Sequence, residues 1–359
     1  MGHRRRHVRR AALICSAFMA LGFGAVALGA GSALAWDRGN VETFAVLPQG
    51  ATGPEGIAVR SDGDVYVGTF GFTTTGPVAG PGKIYVYNEH GRLLRTLSVA
   101  GSTAQLLGMD FHPNTNTLLV IDFGAGNVRS VDPNTGTSSV CITIPPPGPS
   151  GAGLNELTFD NAGNTYISDS FQGIIFKKTG AGCGAAVPWV TSPLLQTSGV
   201  PPFGANGLAF NKAGNALFVA NTGNDQIIRI PVTGGTPGTP TIYVNSINGA
   251  DGLIIDRDDN IWVAANQSDE IVVLDPTGKA IAKLGDFEGI SKSGVPRGLL
   301  FPASQAFSKD RQWLYVTNLA LDIRLFGLAQ SDVSQYIAQV KRYTVSKLRA
   351  RIPPFRDRD

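Results

Sequence analysis

Six residues hold equivalent places in a repeating sequence: Glu55, Leu107, Asn155, Asn206, Asp251 and Arg297. Four of them carry hard oxygen, as two carboxylates and two amides. Calcium takes six to eight oxygens of this kind at about 2.3–2.6 Å, with water completing its shell. Two carboxylates would nearly neutralise the ion; without it they would repel each other across a confined space. Taken singly, an Asn or Asp reads as a turn cap and a Glu before Gly as an ordinary strand residue. Taken together at matching positions, Glu55, Asn155, Asn206 and Asp251 read as a calcium site. Arg297 reads either as an anchor for a substrate anion or as a surface ion-pair partner.

Such a set needs a frame that brings residues about fifty positions apart onto one axis. The sequence supplies one. Each of the six residues opens a short motif, usually continued by Gly, an apolar residue, a small or apolar residue and Val, Ile or Phe. Successive starts lie 52, 48, 51, 45 and 46 residues apart. A polar turn such as Ser61-Asp-Gly-Asp or Asn161-Ala-Gly-Asn follows, then a second strand such as Val65-Tyr-Val-Gly or Ile261-Trp-Val-Ala. An alternating third strand and a fourth complete the unit, as in Lys83-Ile-Tyr-Val-Tyr and Leu93-Leu-Arg-Thr-Leu. Four strands per repeat of this length describe a β-propeller blade. The expected fold is therefore all-β, a six-bladed propeller over residues 36–346. Val41–Leu47 is expected to supply the missing outer strand of the last blade, beside a third strand at Val340–Val345, and so to close the ring.

The innermost strands of a propeller line its channel, so the first residue of each motif should ring one mouth. The long connections Gly71–Gly82, Pro145–Gly153, Pro193–Ala205, Asp286–Pro296 and Leu319–Gln339 fall on that rim, with a short helix expected within Ser331–Gln339. The ends of the second strands give another ring: Thr69, Asp122, Asp169, Asn221, Ala265 and Asn318. These read first as turn-fixing residues. Asp169 and Asn221 are also candidates for substrate contact.

Composition agrees with a turn-rich β protein. Of 359 residues, 43% are hydrophobic and only 16% charged, with 45 Gly and 22 Pro, too little charge for long amphipathic helices. The formal charge of +3 comes from the ends. Residues 1–35 hold five Arg and no acid, leaving 25 basic against 27 acidic residues, and seven Lys or Arg follow Val340. The body is mildly acidic, with no electrostatic footprint for nucleic acid. A basic start, the uncharged run Ala11–Ala35 and Ala33-Leu34-Ala35 before Trp36 read as an export signal. An uncleaved anchor is the alternative, the run being long enough to span a bilayer. With cleavage, no integral membrane segment remains, and a monomer in a periplasmic or extracellular setting is expected. Cys141 and Cys183 then remain as either a disulfide or two separate thiols. Residues 347–359 are expected as a basic, solvated tail.

The Glu, Asn, Asn, Asp series on blades one, three, four and five resembles that of the senescence marker protein/gluconolactonase superfamily, with diisopropyl fluorophosphatase and paraoxonase as relatives. The resemblance covers roughly Val41–Val345. It implies that Glu55, Asn155, Asn206 and Asp251 bind a catalytic calcium. That ion would polarise a lactone or ester carbonyl, with Asp251 as base for the attacking water or as nucleophile. It implies a small-molecule substrate. Departures from the pattern are specific. Gly153 stands where some sugar lactonases carry a substrate-binding Arg. His90 and His112 lie in turns away from the mouth, so a paraoxonase-like histidine dyad is absent. Gly56 follows Glu55 where paraoxonase has a further acid.

The contrasting reading is a non-catalytic NHL-like propeller that uses the same rim to bind a protein or glycan. A lyase on the same frame is a third, although its usual histidine acid/base has no evident place in this sequence. Fold alone does not separate them. Convergent hard ligands do, because a binding scaffold has no need of them.

Overall fold

The computed structural model describes residues 37–73, 75–326 and 332–352. The expected export signal at 1–35 and the far end of the tail lie outside the described residues. Six antiparallel sheets follow one another along the chain. Blade one is Pro54–Val59, Val65–Thr69, Lys83–Tyr87 and Leu93–Ser98. The inner strands of blades two to five are Leu106–Phe111, Leu154–Phe159, Ala205–Phe210 and Ala250–Ile255. Blade six runs Pro302–Phe307, Trp313–Asn318 and Thr344–Arg349, with Val41–Val46 paired on its outer side, where Val41 faces Leu348. The core lies between blades, in clusters of Val, Ile, Leu and aromatic residues such as Tyr66, Tyr166 and Trp262. The Asp160 and Asp256 carboxylates each tie an inner turn to its own blade. Asp160 accepts from Asn164 and Tyr166, and Asp256 from Asn260 and Trp262.

Two sequence expectations need correction. The third strand of blade six is Thr344–Arg349 rather than Val340–Val345, so Lys347, Leu348 and Arg349 belong to the sheet and not to a tail. The inner strand of blade six is Pro302–Phe307, and Arg297 lies outside it in a hairpin formed by Phe287–Ile290 and Pro296–Gly298. Arg297-Gly-Leu-Leu-Phe copies the apolar pattern of the other motifs. The true strand breaks that pattern with Ser304 and Gln305.

One backbone feature recurs in all six blades. Each inner strand shifts register against its neighbour between its first and fourth residues, at Pro54/Ile57, Leu106/Met109, Leu154/Leu157, Ala205/Leu208, Ala250/Leu253 and Pro302/Gln305. A bulge re-aims the side chains it carries. The second residue of each inner strand therefore occupies the same bulge: Glu55, Leu107, Asn155, Asn206, Asp251 and Ala303. The glycine that usually follows has a steric cause. A Cβ on Gly56 would lie 2.2 Å from the Leu107 carbonyl oxygen, and one on Gly207 would lie 2.5 Å from that of Asp251. The inner strands of blades one and four thus pack backbone to backbone against the next.

Several long connections carry short elements of their own. They include a hairpin at Phe72–Thr73/Gly76–Pro77, a 3-10 turn at Pro193–Leu195 and a short helix at Asp332–Ile337. Cys141 and Cys183 are disulfide-bonded. Beside them Gly184–Ala185 pairs in parallel with Ile142–Thr143, stapling the outer edge of blade two to the segment that precedes the last strand of blade three. Among the described residues no helix is long and apolar enough to cross a membrane.

Candidate functional site

Glu55, Asn155, Asn206 and Asp251 line one cavity of about 30 Å³ at the end of the channel. All four are at most 5% exposed. The bulges point them inward, and a second ring of residues orients them. Asn155 donates its Nδ2 to Ser170 Oγ at 3.2 Å, and that hydroxyl donates onward to the Ala205 carbonyl at 2.7 Å. Asn206 donates its Nδ2 to Thr222 Oγ1 at 2.9 Å. Asn266 donates its Nδ2 to Asp251 Oδ2 at 2.9 Å. Ser170, Thr222 and Asn266 each stand one residue beyond the end of a second strand. Sequence reasoning stopped one position short of them, at Asp169, Asn221 and Ala265.

Asn155 and Asn206 give amide hydrogens to hydroxyls and Asn266 gives one to Asp251, which leaves acceptor oxygens over. Glu55 Oε2, Asn155 Oδ1, Asp251 Oδ1 and Asn266 Oδ1 are buried with no hydrogen-bond partner. Leaving a buried acceptor unsatisfied costs about 1–3 kcal/mol. Four acceptors with no donor between them call for a cation or for protons. Burial is the main force raising both carboxyl groups. It lifts Glu55 well above the usual carboxylate range, and repulsion from Asp251 and Glu156 adds to it. It lifts Asp251 to about 7 against the opposing hydrogen bonds from Asn266 and Asn206. Among the described residues no histidine or cysteine lines the cavity. The donor set is carboxylate and amide oxygen throughout, the chemistry of calcium rather than of zinc.

Glu156, the residue after Asn155, lines a wider funnel of about 580 Å³ at the opposite end of the channel. Burial pushes its carboxyl up to about 8, and repulsion from Asp110 and Asp251 adds to the rise.

The other expected contacts lie elsewhere. Asp169 is fully buried and spent on a turn, accepting from the backbone of Gly153, Phe171 and Gln172 and from the Gln172 side chain. Asn221 donates to the Leu194 and Gln196 carbonyls and accepts from the Asn224 N–H. Arg297 is exposed and donates to the Glu288 carbonyl at 3.2 Å. None of the three lines the cavity.

Comparison with known proteins follows the same lines. Residues 118–285 match the family described as the SMP-30/Gluconolactonase/LRE-like region. The chain resembles the gluconolactonase superfamily. Residues 43–70 also match the N-terminal part of the strictosidine synthase-like family. The lactonase drp35 of Staphylococcus aureus is 30% identical over 138 residues, which is 36% of this chain and 41% of that protein. The match thus spans less than half the length of this relative. Among solved structures, the gluconolactonase XC5397 of Xanthomonas campestris superposes with a TM-score of 0.59 at 13% identity, covering 88% of this chain and 90% of that one. Regucalcin of Agrobacterium tumefaciens, a calcium-binding protein, gives 0.57 at 15% identity over 87% and 97% of the two chains. A streptogramin B lyase gives 0.53 at 16% identity, covering 88% and 99%. The sequence resemblance to that family thus lies in the middle blades, and the likeness to the solved structures is one of fold.

Proposed function

We propose that this protein is an exported, calcium-dependent hydrolase that opens a lactone or ester. The observation that carries the reading is the set of four buried, unpartnered oxygens on Glu55, Asn155, Asp251 and Asn266, all residues that line one cavity. Glu55, Asn155, Asn206 and Asp251 would hold calcium, with Asn266 Oδ1 beside them. When bound, calcium would supply positive charge next to the ester carbonyl and to the oxyanion that develops from it.

The chain's own groups do the rest. Asp251 Oδ1 is buried without a partner, while the Asn266 amide fixes Oδ2. That carboxylate is placed to take a proton from the attacking water, or to attack the carbonyl itself. A neighbouring cation would draw its pKa back down from about 7, which favours the ionised form that either role needs. Ser170 and Thr222 hold the two asparagine amides so that their oxygens stay on the cavity side. Export is supported by the Cys141–Cys183 bridge, which persists in oxidising compartments, and by the basic and apolar run ending at Ala35.

The non-catalytic binding propeller keeps one observation in its favour: the cavity holds only about 30 Å³ beneath apolar side chains. Calorimetric calcium titration after chelator treatment, together with a lactone and ester screen, separates the two. The hydrolase reading expects one calcium per chain, a loss of affinity in Asn206→Ala and calcium-dependent turnover. Calcium binding without turnover would favour the scaffold, and no calcium binding would remove the metal from both.

A further inference from the structure

The ring of positions just past the second strands has two unlike sides. Ser170, Thr222 and Asn266, one residue past the second strands of blades three to five, are polar. The same position in blades six, one and two holds Leu319, Phe70 and Phe123. From blade one to blade four the rings touch in sequence. Phe72 stacks on Phe70 at 4.6 Å, and Phe70 meets Phe123 edge-on at 5.7 Å. Phe123 meets Phe171 at 5.8 Å, and Phe171 stacks on Phe203 at 5.8 Å. Phe301, Leu319 and Leu321 complete the wall over the cavity, each at most 7% exposed. Among the described residues that line it, the carboxylates, amides and one hydroxyl all belong to the ligand end, and no Lys or Arg reaches it.

We propose that this wall selects apolar lactones or esters without free hydroxyl groups and rejects polyhydroxylated sugar lactones. The inference rests on the hydrolase reading of the same site. A sugar lactone placed against the wall would bury its hydroxyls facing aromatic rings and leucine, with no group to replace their water. An apolar pocket rejects a single added hydroxyl by about a hundredfold. Several on one ring should compound this. An unsubstituted ring instead gains by packing on the half-buried rings of the arc, Phe72, Phe123 and Phe171, while its ester group turns to the oxygen-lined end.

The test compares δ-valerolactone with glucono-δ-lactone, which share a six-membered ring, in calcium-loaded protein. It also measures calorimetric binding of their non-hydrolysable lactams. The expected kcat/KM for δ-valerolactone exceeds that for the sugar lactone by at least a hundredfold. Leu321→Asn and, separately, Phe203→Ser should narrow the ratio about tenfold while calcium affinity holds. Equal or reversed preference overturns the proposal. If neither lactone is hydrolysed, the hydrolase reading fails, and the lactams still decide the wall. Binding of δ-valerolactam alone upholds the apolar selection. Equal binding of both lactams, or binding of neither, overturns it.

Discussion

Blades three to five and blades six, one and two use one backbone for opposite ends. In every blade the inner strand bulges at its second residue. In blades three to five that residue is Asn155, Asn206 or Asp251, each held by a polar neighbour one step past the second strand. In blades six and two it is Ala303 or Leu107, and the neighbouring positions hold Leu319 and Phe123. Blade one mixes the two, with Glu55 on the bulge and Phe70 beside it. The fold thus fixes where a side chain points, and the side chain alone decides whether the place gathers unpartnered oxygen or apolar surface.

The sharpest way to break this division is Asp251→Asn. It keeps volume and removes the charge, so hydrolysis should fall on the order of a thousandfold or more while the far-ultraviolet circular dichroism is unchanged. Unaltered turnover would take Asp251 out of the chemistry. Thr222→Val should act more gently. The Asn206 amide loses its acceptor, its oxygen loses its fixed direction, and calcium affinity measured by calorimetry should drop about tenfold.

Acidity gives a third handle. Glu55 and Asp251 ionise at higher pH in the metal-free folded chain than in the unfolded one, so folding favours their protonated forms. Their contribution to stability is therefore complete at acid pH below about 4. It is lost as pH rises towards and past about 7. In chelator the melting temperature should fall by on the order of 5 °C between pH 5 and pH 8. With calcium present the fall should shrink or reverse. A metal-free melting temperature that rises over this range would contradict the crowded-carboxylate picture. The smallest effect is expected at Arg297→Ala, outside both halves of the cavity. Its kcat/KM should stay within about twofold of the parent, because an exposed side chain bonded to one carbonyl positions nothing in the site.

Much of the site was legible because four of the six bulges carry residues that betray their chemistry. Glu55, Asn155, Asn206 and Asp251 stood out once the repeat was aligned. The sixth blade misled because Arg297-Gly-Leu-Leu-Phe satisfies the motif better than the strand that performs the role. There the Gln305 amide donates to the Gly252 and Trp262 carbonyls, contacts invisible to an apolar pattern. Asp169 and Asn221 looked available because an alignment reveals residue type and not occupancy, and both are consumed by turns. Asn266 was missed for the opposite reason. It follows Ala265 in a short 3-10 turn, and only three-dimensional proximity to Asp251 gives it a role. The aromatic arc likewise joins residues from four blades that no local spacing connects.

The Cys141–Cys183 bridge closes a loop across 42 residues, and within that loop lies the exposed stretch Pro145–Ser150. A protease that cuts once there severs the backbone without freeing either piece. The nicked protein should migrate as one chain on a non-reducing gel and as two after reduction. The bridge therefore works as insurance for an exposed loop: the chain can be clipped there, yet the blades on either side of the cut stay tethered.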